Sequence, residues 1–212
     1  MERCELHVGA PLPVAFFNRD TVAVASELLG AVLVSETPQG VTAGRVVEVE
    51  AYLGADDAGS HAATRGITER NRVMYGPPGC AYVYFTYGMY HMLNLVTEPE
   101  GVAGAVLIRA LEPLAGVALM EQRRQRFTGL CDGPGKLSQA LGVNLSDNGV
   151  ALGCGTLSMH EGEHAAQIGS SGRIGLSGGH EAQLRFFLIG NPFVSKGRTG
   201  PRTRARRGHE RT

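Results

Sequence analysis

The chain is poor in lysine, in paired cysteines and in long apolar segments. Its 4 cysteines are widely scattered and form no CxxC pair, which favours buried thiols in a reducing compartment over a disulfide framework. No apolar run approaches ~20 residues, so we expect no membrane-spanning helix. The N-terminus lacks the basic-then-apolar order of a secretory signal. We therefore expect a protein of the bacterial cytoplasm without membrane association.

The net charge of zero conceals an uneven distribution along the chain. Residues 196–212 carry seven of the 20 basic residues and one of the 20 acidic residues. The remaining 13 basic and 19 acidic residues leave residues 1–195 with a net charge of −6. This predicts one folded domain over 1–195 and a basic, disordered tail over 196–212. Such a tail either contacts a polyanion or is simply solvated.

Strand-like segments outnumber long helices in this chain. Alternating or continuous apolar patterns predict strands over residues 31–36, 45–53, 104–111 and 184–191, and a hairpin over 80–96 that reverses near 87–88. Helical patterns occupy residues 20–30, 114–126 and 133–142, the first with Asp20 as N-cap and Gly30 as its stop. We predict an α+β single domain with a curved, mainly antiparallel sheet flanked by helices.

The strand at 45–53 raises the question of what its glutamates do. Its odd-numbered residues are apolar and form the expected core face, whereas Glu48 and Glu50 share the other face with Tyr52. That pattern predicts two solvent-facing carboxylates. The alternative is that Glu50 and Tyr52 line a cleft, in which Glu50 would be a general base. His61 follows in a glycine-containing loop, where a histidine is usually a surface residue.

Every tyrosine lies between residues 52 and 90, whereas phenylalanine runs from residue 16 to residue 193. Packing within a sheet would account for Tyr82 and Tyr84, but it does not account for Tyr87 beside Gly88 at the hairpin tip. A ring at an exposed tip is suited to stacking on nucleic-acid bases or wedging between them. Three arginines just upstream could meet phosphates: Arg65, Arg70 and Arg72.

The segment "HEGEH" at residues 160–164 satisfies the HExxH pattern of zinc metalloproteases. That motif requires a helix, and Gly162 lies inside this one with further glycines on both sides. A zinc protease therefore remains a remote alternative, and we expect neither a metal nor another cofactor.

Seven segments together resemble the alkyladenine (3-methyladenine or methylpurine) DNA glycosylases. They are "VEVEAYLG", "DDAGSH", "TERNRVMYGPPG", "YVYFTYGMYHMLN", "LIRALEPLAG", "GPGKLSQALG" and "RFFLIGNPFVS". The resemblance implies a barrel-like sheet with a protruding hairpin that inserts into DNA. It also implies a monomeric, monofunctional enzyme that releases alkylated or deaminated purines from duplex DNA and leaves an abasic site. A non-catalytic protein that binds DNA lesions is the alternative in another class.

The resemblance also implies roles for residues of the base pocket. Glu50 matches the general base, and Arg109 matches an arginine near the attacking water and the target phosphate. Asn94 matches the residue that discriminates against guanine. Tyr52, His61 and Tyr84 match the aromatic walls between which the flipped base is stacked.

A second group of matching residues would contact DNA outside the pocket. Tyr87 matches the tyrosine that enters the minor groove and fills the space left by the extruded nucleotide. The other positions expected at the DNA are Gly88, Met89, Arg65, Arg72 and Lys136.

Overall fold

The structure, a computed structural model, describes residues 8–63, 66–86, 88–163, 167–176, 179 and 181–197. Its strands are β1 (Val32–Thr37), β2 (Gly40–Tyr52), β3 (Ala81–Thr86), β4 (Tyr90–Val96), β5 (Ala105–Ala115), β6 (Leu157–His160), β7 (Ile168–Ser171) and β8 (Arg185–Leu188). Its helices are α1 (Val14–Phe17), α2 (Thr21–Glu27), α3 (Val117–Arg124) and α4 (Pro134–Leu141). Short 3₁₀ turns cover His61–Ala63, Arg72–Tyr75 and Leu145–Asp147.

The described strands form one 8-stranded sheet, in which six strands follow the order β3-β4-β5-β2-β1-β6, β8 pairs with β2, and β7 pairs with β8. The long strand β2 lies at its centre and pairs with β5 along one edge. On its other edge, residues 40–45 pair with β1, whereas residues 48–50 pair with β8. Because one edge of β2 is shared by two strands that diverge, the sheet curves into a half-barrel. The predicted α+β domain with a curved antiparallel sheet is confirmed.

The main apolar core lies on one face of this sheet, against α2 and α4. Val49 and Ala51 of the predicted odd-numbered face are fully buried in it, but Val46 also joins this core, because the β2–β5 register shifts between Val46 and Glu48. Helix α2 begins after Asp20, whose side chain accepts from the Ala23 backbone N–H at 2.9 Å, and the chain turns at Gly30 with φ +93°. The predicted N-cap of this helix is therefore confirmed, whereas the helix ends at Glu27 with Leu28 as its C-cap, before the predicted stop at Gly30.

The β3–β4 hairpin is supported from one side by α4. Pro134 opens the helix, and Gly135 lies so close to the hairpin that a Cβ there would come within 2.7 Å of the Tyr90 ring. The absence of a side chain at Gly135 therefore allows the helix to approach the base of the hairpin. The same contact places Lys136 beside the hairpin.

Two expectations about β-structure differ from the observed fold. The strand predicted over 104–111 continues to Ala115, so α3 starts only at Val117, after Gly116 with φ +70°. The expectation that Glu48 and Glu50 face solvent is wrong, because both are fully buried. Their face of β2 is covered by segments that are distant in sequence, around residues 173–174 and 185–195.

The HExxH segment forms no helix in its described part. Strand β6 ends at His160, and residues 161–163 have no regular secondary structure. The His160 ring instead contacts the Ser158 hydroxyl at 2.9 Å and the Gly9 carbonyl at 3.1 Å. His164 and the part of the predicted basic tail beyond Gly197 lie outside the described residues.

Candidate active site

Five residues from five neighbouring strands form a row across the sheet. In order from β3 to β8 they are Tyr82, Asn94, Leu107, Glu50 and Arg185. Directly paired residues of antiparallel strands place their side chains on the same face. The row therefore brings a tyrosine, an amide, a carboxylate and a guanidinium to the face of the sheet opposite the main core.

Glu50 is the most completely hydrogen-bonded group at the centre of this row. Its Oε2 accepts from the Tyr52 hydroxyl at 2.8 Å and from Arg109 Nη1 at 3.2 Å. Its Oε1 accepts from the Ile174 backbone N–H at 2.7 Å. These three donors fix the orientation of a carboxylate that is inaccessible to solvent, and Arg109 compensates its buried charge. Burial and Glu50 raise the pKa of Tyr52, so this phenol stays a hydrogen-bond donor.

Arg109 reaches both glutamates because the β2–β5 pairing is irregular at this point. Ile108 pairs with Val49 and Ala110 pairs with Glu48, so Arg109 is an extra residue with no partner on β2. A bulge of this kind redirects a side chain. The Arg109 guanidinium donates from Nε to Glu48 at 2.9 Å as well as from Nη1 to Glu50. Burial alone would lower the pKa of Arg109, but the two carboxylates outweigh it and raise the pKa.

Glu48 anchors the segment around Ser195 to the same cluster. It accepts from Arg185 Nε at 2.7 Å, from the Ser195 backbone N–H at 2.6 Å and from the Ser195 hydroxyl at 2.9 Å. With Arg109, four donors satisfy this buried carboxylate. Its contacts indicate a structural task, which is to hold β8 beside β2 and the segment around Ser195 against the even-numbered face of β2.

A second buried ion pair supports the loop that follows β2. Arg173 donates to both carboxylate oxygens of Asp57 and to the backbone carbonyls of Ala51 and Gly179. Its guanidinium also stacks over the Tyr52 ring, 4.7 Å from the centroid. Burial alone would raise the pKa of Asp57, but the bonds from Arg173 and from backbone N–H groups lower it. Arg173 thus ties the orientation of Tyr52 to the loop preceding His61.

A cavity of about 70 Å³ opens beside this cluster. It is lined by Tyr52, Gly59, His61, Met74, Tyr82, Tyr84, Asn94, Ala105 and Leu176. Four predicted pocket residues are therefore brought together, and Glu50 lies behind the phenol of Tyr52. Ligand pockets usually measure ~300–1,000 Å³, so a base-sized ligand has to widen this cavity. A larger cavity of about 450 Å³ lies between α2 and the segment after β6, and it contains none of these groups.

The aromatic residues of the cavity are held by contacts with one another. The His61 and Tyr84 rings pack edge to face with their centroids 4.8 Å apart, and Tyr82 lies 5.3 Å from Tyr84. His61 Nδ1 shares a 2.9 Å hydrogen bond with the Tyr82 hydroxyl. Burial and, secondarily, Arg70 lower the pKa of His61, so its imidazole is neutral at physiological pH. Asn94 donates its amide N–H to the Tyr82 carbonyl at 3.0 Å.

The sequence profile of the family described as "Methylpurine-DNA glycosylase (MPG)" matches residues 15–192. This chain belongs to the methylpurine-DNA glycosylase family. A relative from Koribacter versatilis is 46% identical over 203 residues, covering 92% of this chain and 98% of the relative. One from Chlorobium luteolum is 48% identical over 188 residues, covering 86% and 95%. Another, from Methanoculleus marisnigri, is 46% identical over 192 residues, covering 87% and 98%. Each carries the name "Putative 3-methyladenine DNA glycosylase".

The family resemblance seen in the sequence is therefore confirmed. The protein is a DNA glycosylase of the methylpurine type, which makes it a DNA-repair enzyme of the base-excision pathway with DNA as its substrate. Within the described ranges, no helix is both long and apolar enough to cross a membrane.

Four of the positions expected at the DNA are among the described residues: Arg72, Gly88, Met89 and Lys136. At the hairpin tip Gly88 has φ +68°, and the Met89 side chain is 66% exposed. Arg72 pairs with Glu69 at 3.4 Å, and Lys136 pairs with Asp132 at 2.8 Å. Ion pairs at the protein surface contribute little to stability. Tyr87 and Arg65 lie outside the described residues.

Sequence patterns did not reveal several groups that shape the glycosylase site. Arg173, Arg185 and Ser195 lie more than 100 residues after the strand that they support, and no local pattern links them to it. Asp57 belongs to the segment "DDAGSH", so its place in a family motif was visible, but its pairing with Arg173 was not. Tyr82 was expected only to pack in the sheet, and it also lines the cavity.

Proposed function

We propose that this glycosylase flips alkylated or deaminated purines out of duplex DNA into the aromatic cavity and hydrolyses the N-glycosidic bond with Glu50 as general base. The observation that carries the proposal is the buried Glu50 carboxylate, held by Tyr52 and Arg109 directly behind the cavity. The expected lesions are 3-methyladenine, 7-methylguanine, hypoxanthine and ethenoadenine. The bacterial relatives support action on the chromosome in the cytoplasm, and we expect a monomer.

The flipped base would enter between Tyr52 on one side and His61 and Tyr84 on the other. The empty cavity measures only about 70 Å³, so the entering base has to move Tyr52 apart from the wall formed by His61 and Tyr84. Ring-alkylated purines are cationic, and a cation between aromatic faces gains ~0.5–2 kcal/mol. Asn94 lines the same cavity with its amide fixed on Tyr82, where the exocyclic amine of guanine would crowd it.

The chemical step would be attack by water on an oxocarbenium-like sugar. Oxygen Oε1 of Glu50 accepts one hydrogen bond, from Ile174, and therefore retains acceptor capacity for a water. There Glu50 would take a proton from the water and stabilise the positive charge that develops on the sugar. Arg109, held between the two glutamates, would keep Glu50 in place and attract the target phosphate.

Extrusion of the nucleotide costs a few kcal/mol, and damaged or mispaired bases cost the least. We propose that Tyr87 offsets this cost by filling the vacated stack. The exposed Gly88 and Met89 at the tip of the hairpin support this assignment. Arg65, Arg72 and Lys136 would contact the DNA backbone beside the hairpin.

We also propose that cleavage is purely hydrolytic, without a covalent enzyme intermediate. A lyase reaction generally needs an amine nucleophile. The chain has two lysines. Lys136 on α4 donates a hydrogen bond to Asp132, and Lys196 is exposed. Borohydride should therefore trap no adduct between the protein and DNA, and a trapped adduct would contradict this part of the proposal.

The test is single-turnover base release from a duplex carrying one hypoxanthine, in the presence of EDTA. Wild type is compared with Glu50→Gln and with Glu36→Gln, which alters an exposed glutamate on β1. We expect Glu50→Gln to lose at least about 10²-fold in rate, as is typical for removal of a general base, and Glu36→Gln to match wild type.

Circular dichroism and lesion binding show whether Glu50→Gln remains folded. If the wild type releases no hypoxanthine, the measurement is repeated on DNA containing 3-methyladenine. If the wild type releases neither base but still binds both lesions tightly, the result would favour a non-catalytic lesion-binding protein and overturn the proposal.

A further inference from the structure

Arg70 holds a positive charge against one wall of the cavity. Its guanidinium carbon lies 4.9 Å from the centroid of the Tyr84 ring. Tyr84 is in turn 4.8 Å from His61, the neighbouring residue of the same wall. Arg70 itself belongs to a solvent-exposed segment, so it can be changed without opening the apolar core.

The position of Arg70 is set by its buried neighbour Asn71. The Asn71 amide donates to the carbonyls of His61 at 2.9 Å and Gly66 at 3.0 Å, and its Oδ1 accepts from the Thr68 N–H at 2.6 Å. Asn71 is only 2% exposed. The segment carrying Arg70 is therefore fastened to the backbone of a pocket residue, and its charge is part of the wall.

The other pocket residues respond to this charge. Burial lowers the pKa of His61 and Arg70 lowers it further. Burial raises the pKa of Tyr82, and Arg70 opposes that rise. The field of Arg70 thus extends over the side of the cavity that holds both rings.

We propose that Arg70 is a specificity-determining residue that disfavours cationic damaged bases relative to neutral ones. Tyr84 is already engaged by a guanidinium, whose positive charge weakens the attraction that this ring offers a second cation. A cationic purine stacked in the cavity meets a like charge in a partly desolvated site, whereas neutral hypoxanthine does not. The aromatic walls alone would favour release of cationic 3-methyladenine over neutral hypoxanthine, and Arg70 makes this preference smaller. This inference rests on the proposed base-flipping function.

The test compares single-turnover release of 3-methyladenine from methylated duplex DNA with release of hypoxanthine from a matched duplex. Rate constants are measured over a range of enzyme concentrations, and the ratio of the two efficiencies is the readout. We expect Arg70→Gln to raise the ratio of cationic to neutral lesion about fivefold, the size of an exposed cation–π contact. Arg70→Lys keeps the charge and should stay near the wild-type ratio.

Arg72→Gln is the matched control, because it removes a charge two residues away that pairs with Glu69 instead of a pocket ring. Weaker backbone binding in this variant would lower both efficiencies together and leave the ratio unchanged. An unchanged ratio in Arg70→Gln, or the same change in both variants, would overturn the inference while leaving the proposed function standing. Failure of the wild type to release either base would overturn both.

Discussion

Asp57 offers the most direct test of the buried ion pair behind the pocket. Its two carboxylate oxygens each accept from a guanidinium nitrogen of Arg173, and they also accept from the backbone N–H groups of Leu53 and Gly59, both at 2.9 Å. In Asp57→Asn, one oxygen becomes an NH₂ group that faces two donors. The substitution removes two hydrogen bonds and leaves the fully buried Arg173 without its counter-charge.

The expected cost follows from removal of one partner of a buried ion pair. Such changes destabilise proteins by about 3–5 kcal/mol, because the remaining charge stays buried and uncompensated. For a domain of this size, each kcal/mol lowers the Tm by ~2–4 °C. We therefore expect Asp57→Asn to lower the Tm by about 6–20 °C. Asp56→Asn, which alters the exposed neighbouring aspartate, should stay within about 0.5 kcal/mol of wild type.

The loss should depend on pH in a direction set by the lowered pKa of Asp57. The unfolded carboxyl group titrates near ~4, and the folded group titrates below that. The stabilisation is therefore fully present above the unfolded pKa and disappears as the pH falls through the folded pKa. The difference between wild type and Asp57→Asn should be constant from about pH 7 to 5 and shrink below about pH 4.

Urea unfolding of wild type, Asp57→Asn, Arg173→Met and the double variant measures the coupling directly. The double variant should lose less stability than the sum of the single variants, because neither charge is then left without its partner. A loss below about 1 kcal/mol in Asp57→Asn, or strict additivity in the cycle, would refute the assignment of this pair as a buried, mutually dependent contact.

Two further substitutions test the pocket and the hairpin support. Asn94→Ser shortens a side chain that lines the cavity, so release of 7-methylguanine relative to 3-methyladenine should rise roughly tenfold; unchanged discrimination would reject Asn94 as the guanine-excluding residue. Gly135→Ala places a Cβ 2.7 Å from the Tyr90 ring, so it should destabilise the protein by about 1–3 kcal/mol in urea despite better helix propensity. If Gly135→Ala instead stabilises the protein, α4 can move away from the hairpin without loss of stability, and the close contact does not constrain residue 135.

The sequence predicted the elements of the fold well because their signals are local. Alternating apolar residues mark β2, Asp20 caps α2, and the β3–β4 hairpin reverses between Thr86 and Tyr90, as predicted. The least accurate boundary is the start of β2, predicted at residue 45 and observed at Gly40, where the strand pairs with β1; β5 likewise continues through "EPLAG" to Ala115, paired with β2. Tertiary pairing, rather than propensity, sets these boundaries.

The pocket residues could be nominated from the sequence only through a family resemblance. Local alternation places Glu48 and Glu50 on the polar face of a strand, and by itself it predicts solvent exposure for both. Tyrosines restricted to residues 52–90 indicated a special region without saying what it contacts. The ordered family motifs changed that interpretation, and the structure places the nominated side chains around one cavity and its buried carboxylate.

By itself, then, the sequence determined six of the described strands, the helices α2, α3 and α4, the polar face of β2 and the family, whereas α1, β6 and β7 were not predicted. Only the tertiary structure decided that this face is buried and that Arg109, on a bulge of β5, donates to both glutamates. It also decided that Arg173 pairs with Asp57 and stacks over the Tyr52 ring. The reason is physical. Periodicity reports which side chains share a face, but burial and charge compensation depend on which distant segment covers that face.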